Sequence, residues 1–359
     1  MTNTTLVNSV ALDLIFSPAQ LVSLGTFCFI VTFFGILGNG TVLYSSIRYN
    51  AIRLDRVSLM FVQNLAIADM LYTFCVILPQ LITYIARKWV LGKAYCIVMA
   101  QVGIIPVSAN TITVLSITGY RLRVLLNPFA RTSTKVAKVG IAVIWLAAFI
   151  PTIIFIAYRS KSEFYKENGR CLSDIYDNDA ARIPVMLCVG LIVLLPLFAI
   201  TFFNIILSCI AINHSKKRVE ERANYRALLM VCSLSGLFII SWTPYVIFTF
   251  LKMKSPSVPP AIDLLAFHCI FLNSFGNPIL YTITNKRFGA YVKSVVLSIV
   301  QITGSDESKS SRNSAMVQTK NFTSGQTLPT GLRKHSSPQV HVQLPLRRMN
   351  CCRKKFTGI

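Results

Sequence analysis

Val57–Tyr84 reads VSLMFVQNLAIADMLYTFCVILPQLITY, an apolar run long enough to cross a bilayer and interrupted by one acid, Asp69. A carboxylate at mid-membrane costs about 3 kcal/mol even on lenient scales, so it needs partners and marks a functional site by default. Partners can be read in other apolar segments: Asn39 in the first, Asn110 in the third, and Asn273, Ser274 and Asn277 in the last. Small polar residues from three other segments suit one shared, hydrated pocket inside a helical bundle.

The rest of the chain repeats the pattern. It is 359 residues long, 53% hydrophobic and 14% charged, against roughly a quarter charged in soluble domains. A spanning helix needs about 20 apolar residues, and seven segments qualify, near 21–47, 57–84, 95–119, 139–158, 183–212, 227–251 and 261–283. A lone span satisfies its backbone in lipid only as a helix. The expected fold is therefore an all-α membrane protein, a seven-helix bundle over 21–300 between an extracellular N-terminus (1–20) and a disordered cytoplasmic tail (301–359). Lys286–Val300 is amphipathic enough to form a short eighth helix on the membrane surface.

Charge orients the bundle. Arg48, Arg53 and Arg56, then Arg123, Arg131, Lys135 and Lys138, then Lys216, Lys217, Arg218, Arg222 and Arg226 fill three short connections on one side. That is the positive-inside pattern with the N-terminus outside. The net charge of +23 thus reflects topology and anionic lipid headgroups, and nucleic acid is not an expected partner. No cleaved signal is evident in 1–20, so the first helix is expected to direct insertion. Asn3 heads a glycosylation acceptor, Asn3-Thr4-Thr5. Of the ten cysteines, only Cys96 and Cys171 face the oxidising side, so a disulfide between them is expected. Cys351 and Cys352 lie among basic residues, where palmitoylation and an unmodified tail are both open readings.

A transporter would need internal repeats or several midplane charges, and neither is visible. A membrane enzyme would need clustered His, Asp or Ser, whereas His268 stands alone as a core residue. A receptor is the expected function, with a transporter or a non-signalling relative as the alternative.

The motifs along the spans resemble those of the rhodopsin-like (class A) G protein-coupled receptors, over roughly 21–300. They are Gly38-Asn39-Gly40, Asn64 to Asp69, Trp89-Val90-Leu91-Gly92 before Cys96, Tyr120-Arg121-Leu122 with Pro128, Trp145, Pro196, Phe238 with Ser241-Trp242-Thr243-Pro244, and Asn277-Pro278-Ile279-Leu280-Tyr281 with Phe288. The resemblance implies that Arg121 meets a heterotrimeric G protein. It implies that Trp242, Phe238, Thr111, Pro196 and Pro244 relay ligand binding to the sixth helix, and that Tyr281 turns inward after the Asn277-Pro278 break. Asp69, Asn110 and Ser274 would hold an allosteric sodium ion; no other cofactor is implied. Tail serines Ser308, Ser310, Ser311, Ser314, Ser336 and Ser337 would serve receptor kinases and arrestin.

Three departures stand out. Tyr120 replaces the acid beside the arginine, Asn224 stands near where many relatives carry an acid on the sixth helix, and Asn204 replaces a tyrosine of the fifth. Arg121 is therefore expected to lack a restraining carboxylate, and the resting chain to signal measurably. The implied ligand pocket is lined by Gly103, Ile104, Val107, Ser108, Phe155, Ile192, Trp242, Tyr245, Phe248, Phe267 and Phe271. Gly103 stands where amine receptors carry an aspartate, and Phe271 where opsins carry the retinal lysine. A neutral or amphipathic small molecule fits that lining best. A peptide is the competing reading, from Glu163, Glu167, Asp174, Asp177 and Asp179 among tyrosines of the second outer loop. The stretch Trp89–Cys96 is also similar to melatonin-type receptors, although Asn277–Tyr281 is not their usual form.

Overall fold

The structure, a computed structural model, describes residues 12–48, 52, 54–127, 132–157, 162–165, 170–173, 186–187, 189–214, 221–254 and 259–298. Seven helices among them are long and apolar enough to cross a membrane: α1 (Pro18–Arg48), α2 (Arg56–Ala86), α3 (Gly92–Leu126), α4 (Thr134–Ile154), α5 (Gly190–Ile210), α6 (Leu228–Leu251) and α7 (Ala261–Thr284). After a break at Asn285, residues 286–298 form α8. Asp55 caps α2 by accepting from the Ser58 amide, and Ser133 caps α4 by accepting from that of Val136. Such caps satisfy amides that the first helical turn leaves open.

The expected spans stop short at one end. α3 runs on to Leu126, and α4 begins at Thr134. Arg121, Arg123, Lys135 and Lys138 end the apolar runs there, but a helix does not stop where the membrane does. Inside the spans, Thr73–Ile77 of α2 and Gly190–Leu194 of α5 are π turns. α3 is interrupted at Gly103, three residues before Pro106. Pro106 has no amide to offer the preceding turn, so the helix bends there. A β-carbon on Gly103 would lie 2.6 Å from the Met99 carbonyl oxygen and 3.0 Å from Val76 Cγ2. The tighter of the two contacts is with the backbone of α3 itself, which cannot yield as a valine methyl can.

Beyond α4, β1 (Ser162–Tyr165) and β2 (Arg170–Ser173) form an antiparallel hairpin, with Phe164 opposite Cys171. A disulfide joins Cys171 to Cys96 near the start of α3, as expected from the sequence. We call this the hairpin end of the bundle, and the opposite one the Arg121 end.

Large apolar side chains cover the outside: Phe29, Leu146, Phe198, Ile240 and Leu265 are all exposed. Apolar surface on every side of a bundle suits lipid as solvent. Polar groups are turned inward and bind helix to helix. The Asn64 amide donates to Thr113 Oγ1 (2.8 Å) and accepts from Trp145 Nε1 (2.8 Å), tying α2, α3 and α4. Asn39 Nδ2 donates to the Ser274 carbonyl (2.7 Å), tying α1 to α7.

Gly103→Ala should force α3 away from α2. We expect the purified variant to melt earlier by an amount typical of overpacking, about 1–3 kcal/mol, measured against wild type by thermal denaturation in detergent.

Candidate functional site

Asp69 is fully buried on α2, and two amides reach it from other helices. Asn110 Nδ2 of α3 donates to Oδ1 (2.6 Å), and Asn277 Nδ2 of α7 donates to Oδ2 (2.7 Å). Asn273 Nδ2 donates in turn to Asn110 Oδ1 (2.9 Å). Ser274 and Asn273 line a cavity of about 10 Å³ with Asp69, Tyr72, Val107, Asn110 and Trp242. That is room for a single water-sized particle. Among the described residues, Asn273 Oδ1 and Asn39 Oδ1 are buried acceptors with no donor. The residues read as one pocket from sequence do meet, with Asn39 one step behind through the Ser274 backbone.

The donor set fits a hard cation. It offers a carboxylate, a hydroxyl and an amide oxygen that lacks a donor. No group of three or more His, Cys, Asp or Glu comes together among the described residues. One formal charge in so small a space suits a monovalent ion.

Toward the hairpin end, Trp242 continues this cavity. Its ring lies 5.9 Å from Phe238 and 6.1 Å from Tyr245, and its buried Nε1 has no partner among the described residues. Ile104 and Ile192 are partly buried, and Ser108 spends its hydroxyl on the Ile104 carbonyl (3.0 Å). The Phe155 side chain and the acids and tyrosines of the second outer loop lie outside the described side chains.

Three more of the expected pocket residues sit in packed surroundings. At Gly103 the nearest side chain that a β-carbon would meet is that of Val76 on α2. Phe248 lines a groove with Ile247, Leu251, Ile262 and Leu265 on the outer face of α6 and α7. Phe271 is fully buried in an aromatic cluster, with ring centres 4.9 Å from Phe267, 5.1 Å from His268 and 6.1 Å from Tyr72. His268 is a core residue, as expected. Its Nε2 meets the Tyr84 hydroxyl (3.1 Å), and its Nδ1 meets the Leu264 carbonyl (2.7 Å).

At the other end, the expectation for Arg121 is overturned. Its Nη2 lies 3.2 Å from Asp55 Oδ2, and the Tyr120 hydroxyl donates to Asp55 Oδ1 (3.0 Å). The carboxylate missing beside the arginine is supplied from the cap of α2, a residue whose capping role hid its reach. Asn204 donates to the Ile200 carbonyl of its own helix (2.8 Å), while its Oδ1 is left without a donor. The Asn224 side chain lies outside the described ones. Thr118 of α3 meets Ser235 of α6 at 3.1 Å. Tyr281 is buried with its hydroxyl unpartnered among the described residues, in a cluster with Met230, Leu234 and Phe288.

A sequence model of the seven-transmembrane receptors of the rhodopsin family matches residues 38–281. The chain belongs to this family. A GQ-coupled rhodopsin of Mizuhopecten yessoensis is 26% identical over 294 residues, covering 74% of this chain and 57% of that one. The somatostatin receptor type 2 of Sus scrofa is 27% identical over 307 residues, covering 79% of each chain. The chain spans under two thirds of the length of this rhodopsin and of that of Enteroctopus dofleini. Squid rhodopsin shares the fold, with a TM-score of 0.69 at 21% identity over 79% of this chain and 87% of that one. The family member is a multi-pass membrane protein, and membership favours a receptor over the transporter.

Asp55 lies outside the spans. Burial raises its pKa, but the Ser58 amide, the Arg121 charge and the hydroxyls of Ser58 and Tyr120 outweigh that and hold it below the usual carboxylate value. A carboxyl depressed in the fold contributes stability that is present above its unfolded pKa and lost as pH falls through the folded one. The melting difference between wild type and Asp55→Asn should therefore hold from neutral pH to about 5 and shrink only below about 4. A difference gone by pH about 6 would contradict this.

Proposed function

We propose that the chain is a plasma-membrane receptor, N-terminus outside and C-terminus inside. It takes an extracellular ligand at the hairpin end and activates a heterotrimeric G protein at the Arg121 end. One observation carries the reading, a continuous route through the bundle. Trp242 lines the cavity of Asp69, Asp69 accepts from Asn277, and Tyr281, one turn beyond Asn277-Pro278, is buried against Met230 and Leu234 of α6. A ligand that shifts Trp242 thereby disturbs groups that position α6, and packed elements with two arrangements convert such shifts into larger motions.

The ligand class follows from the lining. Phe271 offers no amine for a Schiff base, so the likeness to rhodopsins does not extend to bound retinal. Val107, Tyr245, Phe267 and Trp242 suit a neutral or amphipathic small molecule. Likeness to the somatostatin receptor keeps a peptide as the second reading. Asn3, Cys351, Cys352 and the tail serines lie outside the described residues. Glycosylation, palmitoylation and recruitment of kinases and arrestin rest on the family and the local sequence alone.

Two measurements test the reading. Receptor in lipid nanodiscs, screened with ligand classes against a panel of purified G proteins, should accelerate nucleotide exchange on at least one of them. Arg121→Ala should return that rate to the receptor-free value; substrate flux into proteoliposomes without exchange would favour the transporter. Sodium chloride should raise the melting temperature above that in choline chloride, and Asp69→Asn should erase the difference. Equal melting of the wild type in both salts would remove the sodium site.

A further inference from the structure

At the Arg121 end, a carboxylate, a phenol and a guanidinium from two helices converge. Asp55 Oδ1 accepts from the Ser58 amide (3.0 Å) and from the Tyr120 hydroxyl (3.0 Å). Its Oδ2 accepts from the Ser58 hydroxyl (2.8 Å) and lies 3.2 Å from Arg121 Nη2. Arg121 has only 12% of its side chain exposed, against 40% for Asp55. Its Nε and Nη2 are buried donors with no hydrogen-bond partner among the described residues. The guanidinium is thus held to Asp55 by charge, while two of its donors are left for something else.

We propose that Asp55, steadied by Tyr120, is the carboxylate that restrains Arg121 in the resting receptor. The proposal rests on the reading above of Arg121 as the G protein contact. Asp55 acts as a positioning residue, and its helix makes the restraint unlike one from a neighbour on α3. An acid next to the arginine would travel with it. Asp55 belongs to α2, so any displacement of α3 against α2 lengthens the pair.

The loop that carries Asp55 is itself anchored in an apolar cluster. Ile52 is fully buried in a cluster with Met230 and Leu234 of α6, Tyr281 of α7 and Phe288 of α8. The Leu54 amide donates back to the Ile52 carbonyl (2.9 Å), fixing the turn into the cap. Release costs Asp55 little, because three hydrogen bonds from Ser58 and Tyr120 satisfy it without the arginine. The restraint is a weak one that a partner can displace.

Asp55→Asn tests this cleanly, since asparagine caps a helix as well as aspartate. In nanodiscs without ligand, we expect it to raise nucleotide exchange about two- to fivefold, the range for a partly exposed ion pair. Adding Tyr120→Asp to that variant should bring the rate back down, by placing a carboxylate on α3. A melting cycle of Asp55→Asn, Arg121→Gln and the double variant reads the contact without any signalling. We expect the double variant to melt no lower than Arg121→Gln alone. Additive losses in that cycle overturn the proposal, and so does an unchanged exchange rate in Asp55→Asn where wild type exchanges. Coupled melting with no exchange on any G protein would support the contact and overturn the receptor reading instead.

Discussion

The carboxylate of Asp69 is fully buried at mid-bundle, beside room for no more than one water-sized particle, and the bundle is arranged around its demand for partners. A buried charge is tolerated only when hydrogen-bonded on all sides. Both of its oxygens accept amide hydrogens. The donors come from α3 and α7, and Asn273 and Asn39 extend the network to the backbone of α7 and to α1. Four helices are thereby held in one register at mid-bundle, where apolar packing against lipid supplies no comparable direction.

The two ends build on that fixed middle in different ways. At the hairpin end, a covalent link from Cys96 to Cys171 ties the hairpin to α3, and aromatic rings fill the space between helices. Toward the Arg121 end, the links among the described residues are non-covalent: they include a hydroxyl pair between Thr118 and Ser235, the Tyr120–Asp55 hydrogen bond and the ion pair at Arg121, beside a buried Tyr281 hydroxyl without a partner. An unpartnered buried polar group costs about 1–3 kcal/mol, so this half of the bundle holds groups with something to gain from rearrangement. Low stability there and high stability at mid-bundle are what a switch with a fixed pivot requires.

Much of this was legible in the sequence, for physical reasons that also mark where legibility ends. Hydropathy gave seven spans because lipid allows nothing but satisfied helices, and a lone acid in a span pointed to its amides because it cannot stand without them. The disulfide followed from compartment alone. Asp55 was hidden because a helix cap looks the same whether or not its second oxygen reaches another helix. The pairing of Tyr84 with His268 was hidden because neither belongs to a motif, and both are ordinary core residues taken singly. The pocket lining, Gly103, Phe248 and Phe271 included, was drawn by analogy of position, and the aromatic cluster that buries Phe271 gave no signal in the sequence.

The π turns at Thr73–Ile77 and Gly190–Leu194 carry a consequence for anyone who counts along these helices. Each inserts one residue beyond α-helical spacing, about 100° of azimuth. Beyond Tyr72 each side chain of α2 is turned by that amount from where uninterrupted α-helical spacing would put it. Gln80, Thr83 and Tyr84, which steps of three and four from Asp69 reach, are all buried in that half of α2. The same slip separates Pro196 from everything on the hairpin side of α5, with Ile192 inside the turn itself. A gapless alignment to a relative lacking either turn would point side chains beyond it about 100° away from their true directions.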